Sequence, residues 1–196
     1  MPSAEVQPLH VADTFGENAT GPVYAYLIRH PQGLVLVDTG MIDRHPEIEE
    51  HFRPELHPLT EHGVPLDEVV LVINTHLHFD HCGGNRLFPG TPIYVQRAER
   101  EAARLPDYTV PEWAEFEGAD YVELDGEAEI LPGIRVLPTP GHTPGHQSVL
   151  VDTGEGLVVI GGDVAHTLED LREERRLLDL GPKRIWITHS DEPLEL

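Results

Sequence analysis

Apolar residues fall along this chain in short runs rich in Val, Ile and Leu, separated by turns bearing Gly and Pro. Val23–Arg29 reads as a strand, with Leu34–Val37 its hairpin partner across Pro31-Gln32-Gly33. Val69–Asn74 is a continuous β-rich run, the pattern of a strand buried on both faces. Ile93–Val95 is a further strand. Tyr121–Leu124, Ala128–Leu131 and Ile134–Leu137 read as antiparallel strands. Val149–Val151 and Leu157–Ile160 form a hairpin around Thr153-Gly154-Glu155-Gly156, and Arg184–Thr188 is the last strand.

Helical signals are fewer. Pro46–His62 is mixed and partly helical, Gly84–Phe88 opens a short helix, and Arg97–Leu105 holds strong helix formers without a breaker. Leu168–Leu180 reads as one charged helix ended by Gly181-Pro182. Leu105–Asp120 reads as a loop or short helix outside the core. Strands dominate both halves, so the pattern predicts an α+β fold in which two packed sheets carry helices outside, an αββα sandwich. A doubly wound α/β sheet is the alternative. No internal repeat or long linker divides the chain, and residues 1–196 are expected to form a single domain.

The strongest chemical signal follows directly on the apolar strand: Thr75-His76-Leu77-His78-Phe79-Asp80-His81. Neutral imidazoles and a carboxylate at a strand end suit zinc, iron or manganese. His76 and His78 share a face if the backbone stays extended. Asp80 and His81 then need a turn, for which Gly83-Gly84 offers flexible backbone. His142, Asp163 and His189 each follow a separate apolar strand, which places all three near one sheet end. His146 closes the loop that His142 opens. His10, His30, His45, His51, His57 and His62 show no metal-like grouping and are expected at the surface.

Charge narrows the partners. The formal net charge is −22, from 35 Asp plus Glu against 13 Lys plus Arg. Such a surface repels nucleic-acid phosphates and anionic membranes, so the expected partner is a small molecule, with no nucleic acid and no membrane. A homodimer is compatible with the composition. No apolar run reaches a membrane-span length, and residues 1–21 lack an apolar signal core, so a cytoplasmic location is expected. Cys82 is the only cysteine; no intramolecular disulfide can form, and packing beneath the His cluster is favoured over a nucleophilic role.

Taken together, these motifs resemble the metallo-β-lactamase superfamily. Asp38-Thr39-Gly40 matches its first motif; His76, His78, Asp80 and His81 the second; His142 the third; Asp163 the fourth; His189 the fifth. The resemblance implies two divalent metal ions per chain, zinc in the first place, with iron or manganese as alternatives. One would be held by His76, His78 and His142, the other by Asp80, His81 and His189, with Asp163 bridging. It implies that Asp38 and His146 support the ligands from behind. Thr75–Asn85 and Asp38–Met41 are most similar to the N-acyl-homoserine lactonases, which open a lactone or cleave an ester with a hydroxide shared by the metals. In that reading Asp80 shuttles a proton, and His166 takes the place of a Tyr that lactonases carry three residues after the bridging Asp. Met41, Phe52, Tyr108, Trp113 and Phe116 are candidate lining for an acyl pocket. The alternatives on the same fold are a thioesterase of glyoxalase II type and a mononuclear iron persulfide dioxygenase.

Overall fold

A computed structural model describes residues 4–196; the first three residues of the expected single domain, and of the stretch read for a signal core, lie outside it. Among the described residues, thirteen strands run in chain order: β1 (Glu5–Thr14), β2 (Gly21–His30), β3 (Gly33–Val37), β4 (Pro54–Leu56), β5 (Val69–Ile73), β6 (Pro92–Gln96), β7 (Asp120–Leu124), β8 (Ala128–Leu131), β9 (Ile134–Pro138), β10 (Gln147–Thr153), β11 (Gly156–Ile160), β12 (Arg184–Trp186) and β13 (Leu194–Glu195). The helices are short: α1 (Pro46–His51), α2 (Phe79–Cys82), α3 (Arg97–Ala102), α4 (Pro111–Ala114), α5 (Leu168–Leu171) and α6 (Arg175–Leu178). None among the described residues is long and apolar enough to cross a membrane.

The strands form two sheets, ordered β4-β1-β2-β3-β5-β6-β7 and β13-β12-β11-β10-β9-β8. Side-chain alternation gives the central strands two apolar faces. Val35 and Val37 point inward with Tyr26, Ile28, Leu71 and Ile73 to meet Ile134, Val136, Val149, Val151 and Ile160 of the other sheet. Leu34 and Leu36 point outward, under Ile48 of α1 and Trp113 of α4. On the far side Leu150, Val159 and Ile185 pack beneath Leu171 and Leu177 of α5 and α6. Every layer thus hides one face of its neighbour, which is the α+β, αββα sandwich the pattern predicts.

Several elements differ from the sequence reading. β7 does not join β8 and β9; it pairs parallel to β6 in the first sheet, Tyr121 opposite Ile93. The chain changes sheet at Gly126, whose φ of 110° favours glycine. The Gln96 side chain fixes that crossing, accepting from the Gly126 N–H (2.9 Å) and donating to its carbonyl (2.9 Å). The helix expected over Leu168–Leu180 is two, because the Glu174 carboxylate accepts from the Arg176 N–H and starts a second one. Trp113 is core, only 2% exposed. β1, β4 and β13 lie at or near sheet edges and were not foreseen, so β12 is not the last strand.

Candidate metal centre

The C-terminal ends of β5, β9 and β11 and the segment after β12 converge on one cleft, and each delivers donors. β5 ends at Ile73, and Thr75 to His78 run across the sheet top into α2, which buries Asp80 and His81. The fit is close. Gly83 and Gly84 adopt φ of −60° and −90°, accessible to any residue. They are small for packing, not for flexibility: a Cβ on Gly84 would stand 2.5 Å from the Thr39 carbonyl oxygen, and one on Gly83 2.7 Å from that of Phe79.

Donor atoms gather in overlapping sets within 4.8 Å: His76, His78 and His142; His76, His81 and Asp163; and Asp80, His81 and His189. His78 Nδ1 lies 2.9 Å from His76 Nε2 and 3.1 Å from His142 Nε2. Asp163 Oδ2 lies 3.2 Å from His189 Nε2 and 3.5 Å from His142 Nε2, so this carboxylate stands between the sets. Asp80 Oδ2 is 3.8 Å from both His81 Nε2 and His189 Nε2.

The surrounding hydrogen bonds choose which nitrogen faces the cleft. His81 Nδ1 donates to Asp38 Oδ2 (2.8 Å) and His189 Nδ1 to the Pro22 carbonyl (2.9 Å), leaving both Nε2 atoms turned inward. Asp38 also accepts from the Thr75 N–H (2.8 Å) and hydroxyl (2.7 Å), and it holds a φ of 59°, a strained value for a non-glycine residue. His146 Nε2 accepts the Asp163 N–H (3.0 Å), and its Nδ1 donates to the Thr139 carbonyl (3.1 Å). Both ring nitrogens are therefore engaged, so His146 positions Asp163 instead of facing the cleft.

A cation fits these donors because buried polar atoms are otherwise stranded. His81 Nε2 and Asp163 Oδ1 are shut from solvent with no hydrogen-bond partner, although they lie 3.4 Å apart. Such orphans are rare unless an ion satisfies them. Burial drives His76 and His78 below the ordinary imidazole range and His142 down to about 4, so these rings stay neutral. Burial also opposes charge on His81 and His189, but Asp163, with further help from Asp80, outweighs it and raises both. Asp163 is also desolvated, yet His81 and His189 hold it well below the carboxylate range.

Glu99, at the start of α3, carries no signal in the sequence, yet it joins the two ligand-bearing loops. It is fully buried; Oε1 accepts from the Leu77 N–H (2.8 Å) and the Tyr108 hydroxyl, and Oε2 from the Thr143 hydroxyl (2.7 Å) and the Gly145 N–H (3.2 Å). The segment holding His76 and His78 is thereby tied to the loop holding His142. A Cβ on Gly145 would meet the Glu99 backbone at 2.1 Å, so the contact demands glycine there.

The donors floor a cleft of about 650 Å³ whose walls include Ile48, Phe52, Phe79, Tyr108 and Val110. His166 is exposed at the rim, its ring 5.5 Å from that of His142 and 6.4 Å from that of His189. Of the five residues expected to line a pocket, Phe52 and Tyr108 do so. Met41 (0% exposed) and Trp113 (2%) belong to the core outside the first sheet, and Phe116 packs against that core. They correct the expectation: α4 closes over the sheet and draws these apolar side chains inward. Cys82 is buried, and burial pushes its thiol up to about 12, so it is packing and not a nucleophile.

A family model, the metallo-beta-lactamase superfamily, matches residues 19–192, and the chain belongs to that family. It is accordingly a metal-dependent hydrolase, with divalent metal as the cofactor its donor cleft is built to hold. Among its relatives is an N-acyl homoserine lactonase of Bacillus cereus, 37% identical over 170 residues that cover 78% of this chain and 68% of that protein. The lactonase AttM of Agrobacterium fabrum is 28% identical over 184 residues, covering 78% and 68%. A solved N-acyl homoserine lactone hydrolase, with the product N-hexanoyl-L-homoserine at its catalytic metal center, superposes with a TM-score of 0.80 at 27% identity, covering 95% of this chain and 92% of that one.

Proposed function

We propose that this protein is a dinuclear zinc lactonase that opens the ring of N-acyl homoserine lactones. The observation that carries the reading is two donor sets, His76/His78/His142 and Asp80/His81/His189, at the floor of a cleft with an apolar wall, with Asp163 Oδ2 between them at 3.5 Å from His142 Nε2 and 3.2 Å from His189 Nε2. His76, His78 and His142 would hold one ion and Asp80, His81 and His189 the other, with Asp163 available to both. Two ions there would supply a water-derived nucleophile near neutral pH and a positive centre for the carbonyl oxygen.

The chain's own groups supply the rest. Asp80, facing both His81 and His189, takes the proton of the attacking water and returns it to the leaving alkoxide. His166 donates a hydrogen bond to the substrate from the rim, where lactonases carry a Tyr. The acyl chain lies along Phe52, Phe79 and Ile48, with Phe52 and Phe79 rings 4.6 Å apart. The strong negative charge of the surface suits a neutral lactone better than an anionic thioester. Metal content and turnover on one sample test the reading. Two zinc ions per chain and ring opening of an acyl homoserine lactone, lost in His78→Ala, are expected. One iron per chain with oxygen uptake, or thioester cleavage without lactone turnover, would overturn it.

A further inference from the structure

A second donor group lies on the far side of β1. His10, Asp13 and His57 place one ligand atom each within 4.8 Å of one another. A regular strand would put residues three apart on opposite faces, but β1 carries a bulge between His10 and Ala12. Val11 and Ala12 both turn into the core beneath α1 and α4, fully buried, and His10 and Asp13 are thrown together onto the opposite face of the strand, the face of Tyr24. His57 follows the edge strand β4 and is fixed beside them, its N–H donating to the Val11 carbonyl (2.9 Å).

We infer that His10, Asp13 and His57 form a further zinc site, distinct from the catalytic cleft. Asp13 Oδ2 lies 3.1 Å from His10 Nε2 and 3.3 Å from His57 Nε2. Ligand atoms around a tetrahedral zinc, each about 2.0–2.1 Å from the ion, stand about 3.3 Å apart. His10 Nε2 is closed off from solvent yet makes no hydrogen bond, although Asp13 Oδ2, which pairs with His57 Nε2, lies 3.1 Å away; an ion among the three would satisfy it. The His10 ring is held in place by stacking on Tyr24 (5.1 Å, 24°), whose hydroxyl donates to Asp191 (3.0 Å). Two imidazoles and a carboxylate suit zinc and its neighbours in the transition series. The three side chains are 26–36% exposed, so solvent completes the coordination and the ion exchanges more readily than one in the cleft. Bound there, it fastens edge strand β4 to β1, just beyond the segment that carries Phe52 into the cleft wall.

Zinc titration of the protein with its catalytic cleft already loaded tests the site. The wild type is expected to take up one further zinc per chain, weaker than those in the cleft, and to melt at a higher temperature as it does so. Asp13→Asn and His57→Gln are each expected to weaken that event at least about 10-fold, since even an outer partner of a ligand contributes that much. Both variants should retain the tightly held zinc and the far-ultraviolet circular dichroism of the wild type. His78→Gln, which alters only the cleft, should leave the weaker event in place. An identical isotherm for wild type, Asp13→Asn and His57→Gln, or loss of the weaker event in His78→Gln, would overturn the assignment.

Discussion

The two halves of the catalytic cleft are built on opposite electrostatics. His76, His78 and His142 surround their meeting point with imidazoles that burial keeps neutral. The other half sets Asp80 and Asp163 against His81 and His189, and there the carboxylates favour the charged imidazole. Without metal the first half offers free lone pairs at neutral pH, whereas the second holds protons that an ion must displace. The carboxylate-bearing half therefore depends more on charge and on the groups that aim its rings.

The largest expected effect comes from Asp163, the group both halves share. Asp163→Ala should lower lactone turnover and metal affinity at least about 100-fold, beyond the about 10–100-fold that outer partners contribute. Titration with a chromophoric chelator beside a ring-opening assay would show it; a variant within 10-fold of wild type would break the link between the halves. Asp38→Ala acts directly on one half, freeing His81 to rotate, and reaches the other only through Thr75, whose hydroxyl lies 3.2 Å from His76 Nδ1. It should weaken metal binding at His81 about 10–100-fold and affect the half formed by His76, His78 and His142 less. Glu99→Gln is expected to lower stability by about 1–3 kcal/mol in denaturant unfolding, because an amide cannot accept all four donors that face the carboxylate.

Protons distinguish the halves more finely. His81 and His189 are raised above 6.5, so zinc binding at pH 7 should release protons to an indicator dye. In the metal-free chain their contribution to stability is full below about pH 6.5 and is lost as pH rises through their folded values. His142 and His146, lowered to about 4 and about 3 by burial, act in reverse. Their contribution is full above about pH 6.5 and is lost as pH falls towards those values. Metal uptake at pH 7 without proton release would contradict the contrast. The smallest effect concerns Cys82: with its thiol at about 12, it should resist iodoacetamide at pH 8 in the folded chain.

What could be read beforehand divides along the same physical line. His76 to His81 were legible because four donors crowd one short segment behind an apolar strand, and His142, Asp163 and His189 because each ends a strand. The sandwich was legible because short apolar strands dominate both halves of the chain, with helices between and after them. Glu99 was invisible, since its value lies in four partners drawn from three distant segments. His10 and His57 were expected to be plain surface and Asp13 drew no notice, because a bulge that puts two core residues in succession erases the period-two pattern. Trp113 and Met41 sit amid loop-like sequence, and only α4 closing over the sheet makes them core.

Anomalous diffraction at the zinc edge from crystals of the zinc-loaded protein addresses the central claim most directly. Two peaks are expected in the cleft, one enclosed by His76, His78 and His142 and the other by Asp80, His81 and His189, with Asp163 touching both. A single peak there, or density that leaves His142 or His189 unligated, would contradict a dinuclear centre.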